Sequence, residues 1–272
     1  MRGSAISIVV SAFEDTSNLC SLCAASCRRL GLKCVLVHNS PEPDMLEGNA
    51  LLNHILGAEE YYLGDISPEE RELAVTELSR TLSQKGSKPY VIYNGASSAR
   101  GALGYVEAAA ELWEQISSDK EKAAIRSVCI PGGNGGLAAG FIYGTALLGN
   151  PFHVELISVE HEIVPLRGII EGFLKDLEEL CGVPMPCPLD ETATLHGEYR
   201  FGGWGIVTPK VEEFSIGFAR TEGIFVENVY TCKTLYGMCD LAKKGYFSDG
   251  ACFLHSGGIG ALFSQYHIHP HS

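Results

Sequence analysis

The sequence is poor in charged residues and short of basic ones. Charged residues make up 19% of the 272 positions, and 33 Asp and Glu against 20 Lys and Arg give a formal net charge of −13. So acidic a chain is a poor match for a polyanion such as nucleic acid or for an anionic membrane surface. We therefore expect neither nucleic acid nor a membrane as a partner.

Long apolar runs are also missing. No run approaches the about 20 apolar residues that a membrane-spanning helix needs, and the first residues show no signal-peptide pattern. The ten cysteines, in a chain without a secretory pattern, are typical of reduced thiols. We expect a cytoplasmic protein.

Two groups of metal-ligating residue types stand out. Cys20, Cys23 and Cys27 share one helical face, which suits either a metal site or a buried small-residue face. Their neighbours are leucine and alanine, so burial is the preferred interpretation. The histidines of the segment 267–271 resemble a weak chelator, but a frayed terminus is the preferred interpretation. We predict no metal site.

Apolar β-branched runs alternate with helical patterns along the whole chain. This alternation predicts an α/β fold with largely parallel sheets flanked by helices. The polar, charged stretch Ser117–Lys122 is the best boundary, so we predict two lobes, residues 1–117 and residues 118–272. The predicted strands are 5–12, 33–37, 59–63, 90–93, 128–130, 154–159, 224–226 and 251–254.

The glycine-rich segment Gly132–Gly136 is the most informative stretch. It follows an apolar run and precedes a small-residue helix start, where successive N–H groups can point at one anion. Its spacing differs from the Rossmann fingerprint, and no Lys-Ser/Thr pair follows, which excludes a P-loop. A phosphate cradle and a ligand-free turn both remain open. In a cradle, a small anionic ligand is held by Gly133, Asn134, Gly135 and Gly136.

Ligands of parallel α/β folds bind at the carboxyl ends of strands. Ser17, the glycine segment and the turn Ser256–Gly258 each follow a predicted strand. We expect them to line one cleft.

Five segments, in order, resemble the family of aminocyclopropane-carboxylate deaminase and D-cysteine desulfhydrase. These are pyridoxal-phosphate enzymes of the tryptophan-synthase β fold, called fold type II, and the resemblance implies that two-lobed fold for this chain. The segments are 29–37, 101–105, 132–136, 219–231 and 254–259.

The resemblance also implies roles for particular residues. Ser17 matches a serine that contacts substrate, and Asn18 an asparagine that faces the cofactor ring. Tyr230 matches the catalytic tyrosine, and Thr231 the partner of the pyridine nitrogen. The glycine segment matches the phosphate cup. Read without the resemblance, Asn18 caps the first helix and Tyr230 is a core aromatic.

The sequence departs from the family pattern at several site positions. The family's Schiff-base lysine belongs to a Gly-Asn-Lys motif that precedes the first matched strand, and residues 1–272 contain no match to it. We therefore expect pyridoxal phosphate to be held noncovalently at most. The replaced site residues are Thr16 for glutamine, Leu19 for histidine, Leu137 for threonine and Trp204 for tyrosine.

Two classes of function follow. One is a degenerate or repurposed enzyme that acts on a small amino-acid-like or carboxylate ligand in the old cofactor cleft. The other is a non-catalytic paralogue that serves as a binding or regulatory subunit. Glu14, Asp15 and His255 are open to acid–base roles, although a solvated loop and a structural histidine are the simpler interpretations. We expect a homodimer, in which a second copy covers an exposed sheet edge.

Overall fold

The computed structural model describes residues 6–12, 16–119 and 122–266. They form two compact units. The first unit contains the described residues up to Ala96 and the segment from Ile259 onward, and the second unit is Ser97–Gly258. The elements in chain order are β1 (Ile6–Ala12), α1 (Asn18–Leu30), β2 (Lys33–His38), α2 (Gly48–Ile55), β3 (Glu59–Tyr62), α3 (Pro68–Gln84), β4 (Lys88–Ile92), α4 (Ala99–Ser117), β5 (Ile125–Gly132), α5 (Gly136–Leu147), β6 (His153–Ser158), α6 (Ile163–Cys181), α7 (Leu189–Thr192), β7 (Ala193–His196), α8 (Pro209–Glu222), α9 (Thr231–Lys243), β8 (Gly250–Phe253) and α10 (Ile259–Gln265).

The first unit is a parallel sheet in the order β3-β2-β1-β4, with helices on both faces. Val10 of β1 packs with α1 on one face, and Val9 packs with Val75 of α3 on the other. Both valines are fully buried, because a sheet covered on both faces buries both sides of its central strand. The predicted burial of Cys20 and Cys27 in α1 is confirmed, and Cys23 is half-buried.

The start of α3 shows how closely local sequence controls a helix end. Ser67 accepts a hydrogen bond from the Glu70 N–H at 3.2 Å, and the Glu70 carboxylate accepts one from the Ser67 N–H at 2.9 Å. This reciprocal capping box, with Pro68 in the first turn, is a helix start that the local residues specify by themselves.

The second unit is a parallel sheet in the order β7-β6-β5-β8. Its core lies between this sheet and helices α4, α5 and α6. Helix α5 is buried on nearly all sides, which explains why its sequence is apolar without an amphipathic period.

Glycines let α4 and α5 pack backbone to backbone. A β-carbon on Gly140 would lie 2.1 Å from the Ala102 carbonyl oxygen, and one on Gly144 would lie 2.8 Å from the Val106 carbonyl oxygen. The paired positions increase together along both helices, so α4 and α5 run parallel. Their N-terminal ends therefore lie side by side.

The domain boundary differs from the predicted one. Helix α4, which we placed in the first lobe, packs on α5 in the second unit, and α10 packs on α2 in the first. The return of α10 to the first unit depends on its long-range contact with α2, which the local composition does not reveal. β7 lies where we predicted no strand, and residues 224–226, which we predicted as a strand, form none. Among the described residues, no helix combines the length and apolar character that a membrane span requires.

Candidate functional site

The glycine loop connects the end of β5 to the start of α5, as predicted. Gly135 precedes the helix with a φ of 87°, in the left-handed region that favours glycine. The Gly132 carbonyl accepts the Val159 N–H at 2.9 Å, which ties the loop to the end of β6. The loop therefore has one defined conformation at the carboxyl edge of the sheet.

Neighbouring side chains fill the space where β-carbons would lie. A β-carbon on Gly135 would be 2.6 Å from Ile169 Cγ2, and one on Gly133 would be 3.1 Å from Tyr230 Cε1. Both are closer than ordinary van der Waals contact. Glycine is thus required at Gly135 by conformation and by space, whereas a side chain at Gly133 would have to displace the Tyr230 ring slightly.

The loop offers unpaired backbone donors to an anion. Within the described residues, the N–H groups of Gly133, Asn134 and Gly135 donate to no protein acceptor. They lie at the N-terminus of α5, where the helix dipole contributes positive potential. This arrangement suits a phosphate, sulfate or carboxylate group.

Tyr230 stands beside this loop, with its ring against Gly133. Its hydroxyl oxygen accepts a hydrogen bond from Trp204 Nε1 at 2.6 Å. Burial raises the pKa of Tyr230 to about 12, the Trp204 hydrogen bond opposes that shift, and the charges of Glu160 and Glu227 add to it. The phenol is therefore protonated at neutral pH, and because indole only donates, the tyrosine proton is left for another acceptor.

A buried carboxylate holds Tyr230 in place. Glu227 accepts hydrogen bonds from the N–H groups of Val229, Tyr230 and Thr231 at 2.7–2.8 Å, at the start of α9. Its negative charge lies at the positive end of the helix dipole. Thr231 is fully buried, and its hydroxyl accepts a hydrogen bond from the Glu227 N–H at 2.8 Å. This hydroxyl, which the resemblance assigned to the cofactor, is thus hydrogen-bonded to Glu227 at the start of α9.

A buried lysine supports the loop that carries Trp204. Lys233 of α9 is 0% exposed, and its ammonium donates to the carbonyls of Arg200 and Gly203 at 3.0 and 2.6 Å. Burial lowers the pKa of Lys233. The segment contains four residues of positive φ: Phe201, Gly202, Gly203 and Gly205. The segment is neither helix nor strand, so the two lysine hydrogen bonds add to the few turn hydrogen bonds that it makes itself.

Glu160 adds negative charge near the loop. Its Oε2 would lie 3.5 Å from a β-carbon on Gly133, and its Oε1 lies 3.6 Å from His161 Nε2. An acidic side chain at this position opposes anion binding unless a proton or a cation offsets its charge.

Ser17 and Asn18 belong to the first unit. Ser17 is the residue before α1, and its side chain makes no capping bond. The Asn18 side-chain oxygen accepts a hydrogen bond from Asn49 Nδ2 at 2.7 Å, and Asn49 also donates to the Thr16 carbonyl at 2.8 Å. Asn18 is therefore oriented by a neighbouring amide and does not cap the helix, while its own NH₂ group donates to no described residue.

His255 has both ring nitrogens engaged. Gly257 N–H donates to Nδ1 at 3.2 Å, so Nε2 carries the proton and donates to the Phe225 carbonyl at 2.8 Å. This favours the structural interpretation. Glu14, Asp15 and the terminal histidines lie outside the described residues.

Sequence reasoning missed Glu160, Glu227 and Lys233. Glu227 precedes Thr231 by four residues at a helix start, a spacing that could have suggested a cap. Lys233 and Glu160 gave no local signal, since only the tertiary structure shows what surrounds them.

The fold and loop define the class: an α/β protein whose second unit presents backbone donors suited to a phosphate-bearing ligand. A family model described as pyridoxal-phosphate dependent enzyme matches residues 3–257. The chain belongs to this family of pyridoxal-phosphate dependent enzymes.

Two relatives indicate which members of this family the chain resembles in sequence. A putative 1-aminocyclopropane-1-carboxylate deaminase of Pyrococcus abyssi is 31% identical over 248 residues, which cover 91% of this chain and 72% of the relative. A D-cysteine desulfhydrase of Salmonella paratyphi B is 30% identical over 272 residues, with 97% and 79% covered.

Two solved structures agree with the architecture. The crystal structure of an ACC deaminase homologue has a TM-score of 0.82 at 30% identity, over 97% of this chain and 77% of that one. The crystal structure of a T.th. threonine deaminase, at 21% identity, a TM-score of 0.61 and coverage of 95% and 79%, shares the fold alone. The predicted family and fold type II are thereby confirmed.

Proposed function

We propose that the second unit binds the phosphate group of pyridoxal phosphate at the glycine loop, and that residues 1–272 hold this cofactor without a covalent bond to a lysine. The proposed activity is that of a degenerate or repurposed enzyme acting on a small amino-acid-like or carboxylate ligand. The relatives' names, a deaminase and a desulfhydrase, support that ligand class.

The observation that carries the proposal is the unpaired row of N–H groups from Gly133 to Gly135 at the N-terminus of α5. A phosphate fits there because no side chain projects from the two glycines and backbone N–H groups match its oxygens. When bound, pyridoxal phosphate supplies an electron sink for charge that develops at the substrate α-carbon.

The chain's own residues would bind the phosphate group and hold a proton at Tyr230. The loop N–H groups hold the phosphate, and the Tyr230 ring limits the space beside Gly133. Tyr230 keeps its proton at Oη at neutral pH, because burial raises its pKa to about 12. It is thus a donor toward an anionic or carbonyl oxygen, with Trp204 orienting its lone pair.

The lysines support noncovalent binding. Every lysine of the described residues except Lys233 is exposed. An exposed ammonium is strongly hydrated, so these lysines lack the desolvation that makes a catalytic lysine nucleophilic. Lys233 is buried, but its amine already serves two carbonyls.

The test is a titration of the purified chain with pyridoxal phosphate and with inorganic phosphate, followed by borohydride treatment and mass spectrometry. We expect binding of both ligands and no reduced adduct. Gly133→Ala should weaken binding about tenfold by crowding Tyr230 and the loop, while Gly168→Ala, whose added carbon meets nothing within 4 Å, should not. An adduct on one lysine, Lys233 first among them, would overturn the noncovalent mode; wild-type protein that binds neither ligand would overturn the site.

A further inference from the structure

Ser97, the first residue of the second unit, has a side-chain hydroxyl without a hydrogen-bond partner among the described residues. Its hydroxyl oxygen is buried and makes no hydrogen bond with any described residue. A buried hydroxyl without a partner costs free energy, so native proteins rarely keep one unless water or a ligand satisfies it.

The neighbouring serine shows the contrast. Ser98 is the N-cap of α4, and its hydroxyl accepts the Gly101 N–H at 3.1 Å. The capping role at this helix start is thus already filled, and it does not account for Ser97.

The position of Ser97 relates it to the glycine loop. A β-carbon on Gly136 would lie 3.6 Å from Ser97 Cα and 3.9 Å from Ser97 Oγ. The parallel packing of α4 on α5 through Gly140 and Gly144 places the two helix starts side by side. Two positive helix ends therefore meet where the loop N–H groups are unpaired.

We infer that the Ser97 hydroxyl donates a hydrogen bond to the phosphate group held by the glycine loop. The inference rests on the proposed phosphate site and adds a side-chain donor from a second helix start. Leu137, which follows Gly136, is packed against the core and cannot supply such a donor. Ser97 is then a binding residue for a phosphate monoester or for free phosphate.

The experiment compares Ser97→Ala with Ser98→Ala in the full chain, using inorganic phosphate, pyridoxal phosphate and pyridoxal in calorimetric titrations. A hydrogen bond to a charged group corresponds to about tenfold or more in affinity. We expect Ser97→Ala to raise the Kd for both phosphate-bearing ligands by about that factor and to leave pyridoxal binding unchanged. If Ser97→Ala raised the Kd for pyridoxal phosphate but not for inorganic phosphate, Ser97 would not contact a phosphate site that the two ligands share, and the inference would be overturned.

Thermal unfolding without ligand adds an independent measurement. Ser97→Ala should keep or raise the midpoint because it removes an unsatisfied buried hydroxyl, whereas Ser98→Ala should lower it through loss of a cap. Wild-type Kd values in Ser97→Ala, or a lowered midpoint with unchanged Kd, would overturn the inference and leave the proposed phosphate site intact. Wild-type protein that binds neither phosphate nor pyridoxal phosphate would overturn both.

Discussion

The indole N–H of Trp204 donates to the hydroxyl oxygen of Tyr230 at 2.6 Å. Since an indole has no acceptor, this contact assigns the tyrosine oxygen as acceptor and leaves its proton directed elsewhere. The pair couples the left-handed segment of residues 201–205 to the ring that lies against Gly133. The orientation of Tyr230 thus depends on a loop far away in the sequence.

Trp204→Phe should raise the pKa of Tyr230 further. The hydrogen bond from Trp204 stabilises the phenolate, so its loss favours the neutral phenol. The measurement is an alkaline titration of the phenolate absorption band, with Tyr230→Phe in the same background subtracted to isolate this residue. An unchanged or lowered pKa would show that the indole does not donate to Tyr230 in solution.

Glu160→Gln should lower the pKa of Tyr230 from about 12 and tighten phosphate binding. Both effects follow from removing one negative charge near Gly133, because the Glu160 carboxylate opposes both a phenolate and a bound anion. The same absorption titration and a calorimetric phosphate titration check it. Glu162→Gln is the control. If both variants change the Kd equally, the effect is one of net charge and not of position.

Lys233→Met should destabilise the protein by about 2 kcal/mol or more, because the carbonyls of Arg200 and Gly203 lose a buried charged donor and keep only the backbone N–H donors of the local turn. Chemical denaturation measures the free energy of unfolding. Lys244→Met, which removes an ion pair between an exposed ammonium and Asp240, should change the free energy of unfolding far less. Near-ultraviolet circular dichroism should also report altered packing of Trp204 in the Lys233 variant alone. Equal losses of unfolding free energy in the two variants would contradict the conclusion that Lys233 stabilises the loop that carries Trp204.

Ser67→Ala should lower the free energy of unfolding by about 1 kcal/mol through loss of the α3 cap. Ser17→Ala is the matched control, because Ser17 stands at the N-cap of α1 and its side chain makes no capping bond. It should leave stability nearly unchanged. A larger loss in the Ser17 variant would mean that its hydroxyl has a structural partner, and would argue against a ligand-contacting role.

Local sequence determined most of the helices and strands. The bounds of Asn18–Leu30 follow from local sequence, since a small apolar helical face is followed by Gly31, which ends the helix in a left-handed conformation. The glycine loop was found because a strand, clustered glycines and a helix start are adjacent in the chain. The resemblance to a known family supplied Tyr230 and Thr231.

The tertiary structure alone decided what surrounds those residues. The boundary after Ala96 depends on α4 packing against glycines of α5, a contact between separate elements. Ser97, Glu160 and Lys233 have unremarkable sequence neighbours, and their importance lies in burial, in distance and in which groups lack partners. Sequence patterns report the period of one element at a time, whereas electrostatics and hydrogen-bond satisfaction depend on groups that only folding brings together.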